Sequence, residues 1–258
     1  MKIAFHTLGC KVNQYETEGL KENFKKAGHE VVPDTEFADA YVINTCTVTN
    51  LADRKSRQFI RRARAINPDA AIAVTGCYVQ VAPEEVAAIE GVDIIAGTNE
   101  KSAMVSLVEE YIKDGSKIRQ VKSYEELDTY EEIGTITSME SRTRAYIKIQ
   151  EGCDRFCSYC IIPFARGSVR SRRPSEILKE AESLVRAGFK ELILTGINAA
   201  LYGTEQGFVC DIDDTDIENM HGIEIIIHLL DKMPGDFRIR LSSLEPTAAN
   251  SDYVKRLL

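Results

Sequence analysis

Three cysteines stand at C-x3-C-x2-C spacing in the run Cys153-Asp154-Arg155-Phe156-Cys157-Ser158-Tyr159-Cys160. The run begins where an extended segment, Arg144–Glu151, ends, and a turn marked by Pro163 follows it. Three thiols this close can all turn inward on one polymetallic centre, and they are too crowded for three separate disulfides. Three thiolates on a four-iron cluster leave one iron without a protein ligand. An open iron is where a substrate or cofactor binds, so the spacing points to chemistry rather than to electron storage.

A second set is spread along the chain. Cys10 follows Phe5-His6-Thr7-Leu8-Gly9, Cys46 follows Val42-Ile43-Asn44-Thr45, and Cys77 follows Val74-Thr75-Gly76. Each lies just past the carboxyl end of a predicted strand and shortly before a predicted helix. In a parallel sheet those ends share one edge, the edge where open α/β folds bind ligands. The helix N-termini there favour thiolate over thiol. A single cysteine in such a place reads as a small buried residue; three in the same topological slot read as a ligand set for a cluster. Zinc is the rival occupant, with His6 or water as a fourth ligand. His6 lies mid-strand, however, where a core or ligand-supporting histidine is expected. His29, His221 and His228 have no site-like spacing, and Cys210, in an acidic stretch, is not expected to be a ligand.

The elements that must position these residues follow from periodicity. Lys2–Leu8, Ala40–Asn44, Ala71–Thr75 and Val92–Ala96 read as buried strands, alternating with helices at about Gln14–Ala27, Leu51–Ile66, Pro83–Ile89 and Glu100–Lys113. Strand then helix, repeated, predicts a mostly parallel, doubly wound sheet. From about Asp114 to Ser141 the rhythm gives way to a polar, acidic linker with room for a short edge strand. It then restarts with strand Arg144–Gln150, helix Pro174–Ala187, strand Glu191–Thr195, helix Ile223–Lys232 and strand Phe237–Leu241, with a last helix from about Asn250. The expectation is two α/β domains: 1–115, a linker over 116–141, and an incomplete second domain over 142–258.

At 258 residues, 44% hydrophobic and 28% charged, the chain has ample material for two cores. No apolar run approaches the roughly 20 residues of a bilayer span, and the N-terminus runs straight into a strand, which predicts no signal peptide. Seven cysteines without a secretory signal predict a reducing cytoplasm and metal or redox thiols. The net charge of −8 is unevenly spread. Glu125, Glu126, Asp128, Glu131 and Glu132 form one acidic window, and Glu205, Asp211, Asp213, Asp214, Asp216 and Glu218 another. Without these eleven acids the rest of the chain carries +3, so its surface can meet a polyanion. No phosphate-binding glycine loop or His-Glu-x-x-His pattern supports ATP use or zinc proteolysis.

Thr7-Leu8-Gly9-Cys10-Lys11-Val12-Asn13, Asn44-Thr45-Cys46-Thr47-Val48-Thr49, Thr75-Gly76-Cys77 and Gln150-Glu151-Gly152-Cys153 together resemble the radical S-adenosylmethionine (SAM) methylthiotransferases. The Cys-Lys-Val-Asn and Thr-Cys-Thr-Val-Thr contexts most resemble the branch acting on N6-threonylcarbamoyladenosine at position 37 of tRNA. The resemblance implies a partial radical-SAM (β/α) barrel for the second domain. It implies two 4Fe–4S clusters, one on Cys153, Cys157 and Cys160 that cleaves SAM, and one on Cys10, Cys46 and Cys77 that carries or supplies sulfur. A 5′-deoxyadenosyl radical would abstract hydrogen from C2 of the adenine, and a second SAM would donate the methyl group. Phe156 or Tyr159 would pack on the SAM adenine. Thr195, Gly196 and Asn198 at one strand end, and Ser242 and Glu245 at the next, would contact SAM. A reducing electron donor and a sulfur donor are implied partners. The family's barrel normally continues for about three more strand–helix units, followed by a small RNA-binding β-barrel, so the resemblance implies a chain truncated at its C-terminus.

Arg54, Arg57, Arg61 and Arg64 fall on one helical stripe, opposite Ala52, Phe59, Ala63 and Ile66, with Lys55 and Arg62 widening the basic side. No acid lies between Asp53 and Asp69 to pair with them along the helix, which favours phosphate contact. Arg166, Arg170, Arg172 and Arg173 form a second basic cluster. Both are expected to guide the anticodon stem-loop of tRNA. The competing expectations are methylthiolation of isopentenyladenosine-37 or of a ribosomal-protein aspartate, a catalytically inactive iron–sulfur RNA-binding module, and a zinc-stabilised structural protein.

Overall fold

A computed structural model of the chain describes residues 1–47, 50–137, 143–217, 220, 222–245 and 255. The helix expected from Asn250, the motif residues Val48 and Thr49, the acid Glu218, His221 and the end of the linker lie outside the described residues, as do the side chains of Ala52 and Asp53. The chain divides into two compact units. One comprises Met1–Gly134 with Phe156–Gly167, the other Thr135–Arg155 with Ser168–Leu258.

The first unit is built on six parallel strands: β1 (Lys2–Thr7), β2 (Glu30–Val32), β3 (Ala40–Thr45), β4 (Ala71–Gly76), β5 (Ile94–Ala96) and β6 (Ile118–Gln120). They lie in the order β2-β1-β3-β4-β5-β6. The central strands are apolar on both faces, as a covered parallel sheet requires. Tyr41, Ile43, Ile72 and Val74 face α2 (Asn50–Ile66) through Phe59, Ile60 and Ala63. The alternate residues Val42, Ala71 and Ala73 pack instead with Leu20 and Phe24 of α1 (Lys11–Lys26) and Met104, Leu107 and Val108 of α5 (Met104–Asp114). The expected doubly wound parallel sheet is therefore present. Helix α1 ends at Gly28, whose φ of +85° lets the His29 amide donate back to the Phe24 carbonyl at 3.0 Å.

Two details differ from the expectation. The helix expected over Pro83–Ile89 is present as α4 (Pro83–Ala87), but a short helix that was not expected, α3 (Cys77–Val81), precedes it and stays separate because Pro83 has no amide hydrogen with which to continue it. Strand β2 was not predicted; three residues give no readable period. The acidic segment after α5 contributes β6, an edge strand parallel to β5.

In the second unit β7 (Arg144–Lys148), β10 (Glu191–Thr195) and β11 (Arg238–Leu241) form a parallel sheet in the order β11-β10-β7. Ala145, Ile147, Leu192 and Leu194 pack on Ile177, Ala181 and Leu184 of α7 (Pro174–Arg186) and on Ile226 and Leu230 of α8 (Ile223–Asp231). The antiparallel pair β8 (Gln150–Glu151) and β9 (Arg170–Ser171) marks where the cysteine loop leaves this unit and returns to it. Between them, α6 (Ile162–Arg166) belongs to the first unit.

Candidate functional site

The strand order places the switch point between β1 and β3, where neighbouring connections run to opposite sides and ligands bind at the carboxyl edge. Cys10, Cys46 and Cys77 follow β1, β3 and β4 at that edge. Thr45 and Gly76 are register partners, so Cys46 and Cys77 leave the sheet side by side. A Cβ on Gly9, whose φ is +112°, would lie 2.8 Å from Cys46 Cβ and 3.1 Å from Cys46 Sγ, so the backbone before Cys10 lies hard against Cys46. Asn13 ties the same loops together: its Nδ2 donates to the Leu8 carbonyl at 2.7 Å and to the Thr45 carbonyl at 2.9 Å. Cys46 and Cys77 are buried and Cys10 is exposed, so the trio opens outward at one corner.

Burial pushes the Cys77 thiol up, and the Arg166 guanidinium pulls against it. Arg166 Nε donates to Cys77 Sγ at 3.2 Å. Its other nitrogens donate to Glu16 Oε1 at 2.6 Å and to Asn13 Oδ1. Lys101 Nζ lies 3.4 Å from Glu16 Oε2. Arg166, Glu16 and Lys101 have no exposed surface, and all belong to the first unit. Neither Glu16 nor Lys101 was found by sequence reasoning. The signal available was an acid at position 16 within the inward stripe Val12, Tyr15, Leu20 of α1.

These residues fit a polynuclear iron–sulfur group better than one zinc ion. Thiolates on a single zinc sit about 2.3 Å from the metal and therefore roughly 3.8 Å apart. Among the described residues, the one group of His, Cys, Asp or Glu with ligand atoms all within 4.8 Å of one another is Asp214, Asp216 and His228. Its acids are already paired with Lys232 Nζ, at 2.9 and 2.7 Å. His6 stacks on Phe59 at 3.7 Å and pairs with Asp34 at 2.6 Å, which occupies it structurally.

In the cysteine loop, Cys153 is half-buried and belongs to the second unit. Cys157 is exposed, Cys160 is half-buried, and both lie in the first unit, where the Cys160 amide donates to the Cys157 carbonyl at 2.8 Å. Phe156 has a φ of +46° and stands out from the loop, as does Tyr159.

Residues 147–257 match the Radical SAM superfamily, and residues 2–97 match the Uncharacterized protein family UPF0004. A Bacillus subtilis protein, the threonylcarbamoyladenosine tRNA methylthiotransferase MtaB, is 45% identical over 99% of this chain and 54% of its own length. Over nearly its whole length the chain is similar to a methylthiotransferase, and its second half matches the Radical SAM superfamily. An Aquifex aeolicus protein of the same name is 42% identical over 88% of the chain and 55% of its own length. A Hydrogenobaculum tRNA-2-methylthio-N(6)-dimethylallyladenosine synthase is 33% identical over the whole chain and 57% of its own length. The chain thus spans about half the length of the curated relatives it matches. Among solved structures, the radical SAM methyltransferase TsrM from Kitasatospora setae, with cobalamin and a 4Fe-4S cluster bound, superposes with a TM-score of 0.64. That match covers 99% of this chain and 56% of TsrM at 14% identity, and it shows the fold alone.

Polar side chains that could take a ligand cluster at the strand ends of the second unit. Thr195 Oγ1, Asn198 Oδ1 and Asn198 Nδ2 are buried at the carboxyl end of β10 with no hydrogen-bond partner among the described residues. Buried polar atoms are nearly always satisfied, so three together suit a polar ligand. A Cβ on Gly196 would lie 2.7 Å from Gln150 Oε1, which also accepts from the Asn198 amide at 3.0 Å. Ser242 is buried at the end of β11, its amide donating to the Leu194 carbonyl at 3.1 Å. Glu245 pairs with Arg155 at 3.3 Å.

The basic residues sort differently from the sequence expectation. Arg166, Arg170 and Arg172 are at most 4% exposed, and Arg172 is paired with buried Glu180. Buried guanidiniums cannot reach a phosphate, so these three are structural and not RNA contacts; Arg173 remains exposed. On α2, Arg57 is engaged by Tyr78 and Glu85, each at 2.6 Å. Arg64 is held by the carbonyls of Pro68, Ala70 and Gly91 and by Asp93. The acids missing along the helix are supplied by other elements. Arg54, Lys55, Arg61 and Arg62 stay exposed.

Proposed function

We propose that the chain carries the catalytic core of a tRNA methylthiotransferase that places a methylthio group on C2 of N6-threonylcarbamoyladenosine at position 37. The observation behind this is the convergence of Cys10, Cys46 and Cys77 at one sheet edge, in a chain that also carries the C-x3-C-x2-C loop. In this reading Cys153, Cys157 and Cys160 hold one 4Fe–4S cluster and Cys10, Cys46 and Cys77 a second. When bound, the clusters and SAM would supply the hydrogen-abstracting radical, the sulfur and the methyl group.

This chain's own residues bind and orient. Asn13 holds the loops before Cys10 and Cys46 in register. Thr195 and Asn198 offer polar atoms to SAM, the missing side chain of Gly196 lets Gln150 close against the same strand end, and Ser242 and Glu245 stand at the adjoining one. Phe156 or Tyr159, both exposed on the cysteine loop, would pack on the adenine of SAM. Arg54, Arg61 and Arg173 are solvent-facing cations suited to phosphates of the anticodon stem-loop. The electron and sulfur donors are separate partners, and the reaction belongs in the reducing cytoplasm; no helix among the described residues is long and apolar enough to cross a membrane.

Two measurements test this. Reduction of the reconstituted protein with SAM should yield 5′-deoxyadenosine; none from a cluster-loaded protein would favour an inactive module. Mass analysis of tRNA nucleosides from a strain lacking the gene and any paralogue should show threonylcarbamoyladenosine without its methylthio group. An unchanged nucleoside, with loss of the methylthio group from isopentenyladenosine instead, would reassign the substrate.

A further inference from the structure

Arg166 lies six residues beyond Cys160, on α6, which packs on the helix that Cys77 begins. From there all three of its guanidinium nitrogens reach into the strand-end cysteine site: Nε to Cys77 Sγ at 3.2 Å, and the other two to Glu16 and Asn13. Asn13 in turn holds the loops leading to Cys10 and Cys46. One side chain therefore touches one cysteine of the trio directly and the other two through a single amide. The Thr98 hydroxyl, donating to the Ala165 carbonyl at 3.1 Å, fixes the backbone beside it.

A buried arginine is a costly way to fill space. A hydrophobic side chain of similar volume packs as well without desolvating a charge. Glu16 is also shared by two cations, Arg166 and Lys101, and a further buried carboxyl, Glu100, lies within the field of Lys101. Hydrogen bonds to cluster sulfurs and nearby charge set the potential of iron–sulfur centres, and positive charge favours the reduced form.

We infer that Arg166 is a positioning residue for a cluster held by Cys10, Cys46 and Cys77, raising its reduction potential and tying it to the segment that carries Cys157 and Cys160. The inference rests on the proposed assignment of a second cluster to the strand-end cysteines. It gives the strand-end cysteines a physical connection, within the first unit, to the segment carrying Cys157 and Cys160: α6 cannot shift without pulling on Cys77 and Asn13.

The test uses the 258-residue chain with Cys153, Cys157 and Cys160 replaced by alanine, so that one cluster remains, followed by electron paramagnetic resonance during a reductive titration. Arg166→Gln should lower the midpoint enough to cut the reduced-to-oxidised ratio at a fixed potential about tenfold, which is about 59 mV for one electron. Arg166→Lys should return part of that shift. Glu16→Gln removes a negative charge beside Arg166 and Lys101 and should move the midpoint the other way. It also carries the test if Arg166→Gln does not take up iron. An unchanged midpoint in a loaded Arg166→Gln, or a midpoint unmoved or lowered in Glu16→Gln, overturns the inference. If the parent triple-alanine chain holds no four-iron cluster, the second-cluster assignment has failed and the inference falls with it.

Discussion

Gly9→Ala should separate a steric role at the strand-end cysteine site from simple backbone strain. Gly9 sits at φ +112°, and an added Cβ would lie 2.8 Å from Cys46 Cβ, 3.0 Å from Asn13 Nδ2 and 3.1 Å from Cys46 Sγ. A non-glycine residue held at such a φ costs of order 1–3 kcal/mol. The close approaches add about 1–3 kcal/mol, because Asn13 and Cys46 are themselves held by the loops they join. Gly28→Ala is the internal control: its φ is +85°, but nothing among the described residues lies within 4 Å of the added carbon, so it bears the strain alone. Anaerobic urea unfolding should therefore show Gly9→Ala less stable than Gly28→Ala by about 1–3 kcal/mol. Gly9→Ala should also take up less iron on reconstitution, since Cys46 is the group pushed aside, while Gly28→Ala should load normally. Equal destabilisation of the two, with full iron uptake in both, would refute the close packing of Gly9 on Cys46.

Other perturbations follow from the same structure. Glu100 is buried, and burial first, then the nearby Glu131, push its carboxyl above the ordinary 4.5, with Lys101 and Lys122 pulling back. A carboxyl raised on folding contributes stability that is present below its unfolded value and lost as pH rises through its folded one. Glu100→Gln should therefore be more stable than the parent at about pH 8, by a margin that narrows toward about pH 5 in urea midpoints. Lys148 and Glu151 form a buried pair at 2.5 Å. Lys148→Met should cost about 3–5 kcal/mol by removing the cation opposite a buried carboxylate, and adding Glu151→Leu should recover much of it in the same unfolding assay. Replacing Arg54 and Arg61 with alanine should weaken tRNA binding and reduce its salt slope by about 1 for each phosphate no longer neutralised, with the unfolding midpoint unmoved. Arg64→Ala should instead lower the midpoint, because it removes the hydrogen bonds to Ala70, Gly91 and Asp93.

Much of the fold was legible because β3 and β4 are apolar on both faces and too short for helices, while α1, α2 and α5 carry clear helical stripes. That pattern put Cys10, Cys46 and Cys77 on one edge before any coordinates. The short strands β2 and β6 were faint because three residues carry no period. The basic clusters misled for a different reason. Sequence shows a charge but not its partner, and the partners of Arg57, Arg64 and Arg172 come from Glu85, Asp93 and Glu180 on other elements or other turns. Arg166 was the largest surprise: it reads as part of a surface Arg-rich run, yet its partners Glu16 and Asn13 are about 150 residues away in sequence. Glu16 and Lys101 escaped for the same reason, since only the tertiary fold makes each the other's counter-ion.

The central claim is that the chain holds two clusters on two separate cysteine sets, and iron and sulfide counting on three proteins tests it most directly. After anaerobic reconstitution the parent should bind about eight irons per chain. The variant with Cys10, Cys46 and Cys77 replaced by alanine, and the variant with Cys153, Cys157 and Cys160 so replaced, should each retain about four. A parent that stops at about four irons, a strand-end variant that loses none, or a colourless protein carrying zinc would contradict the account.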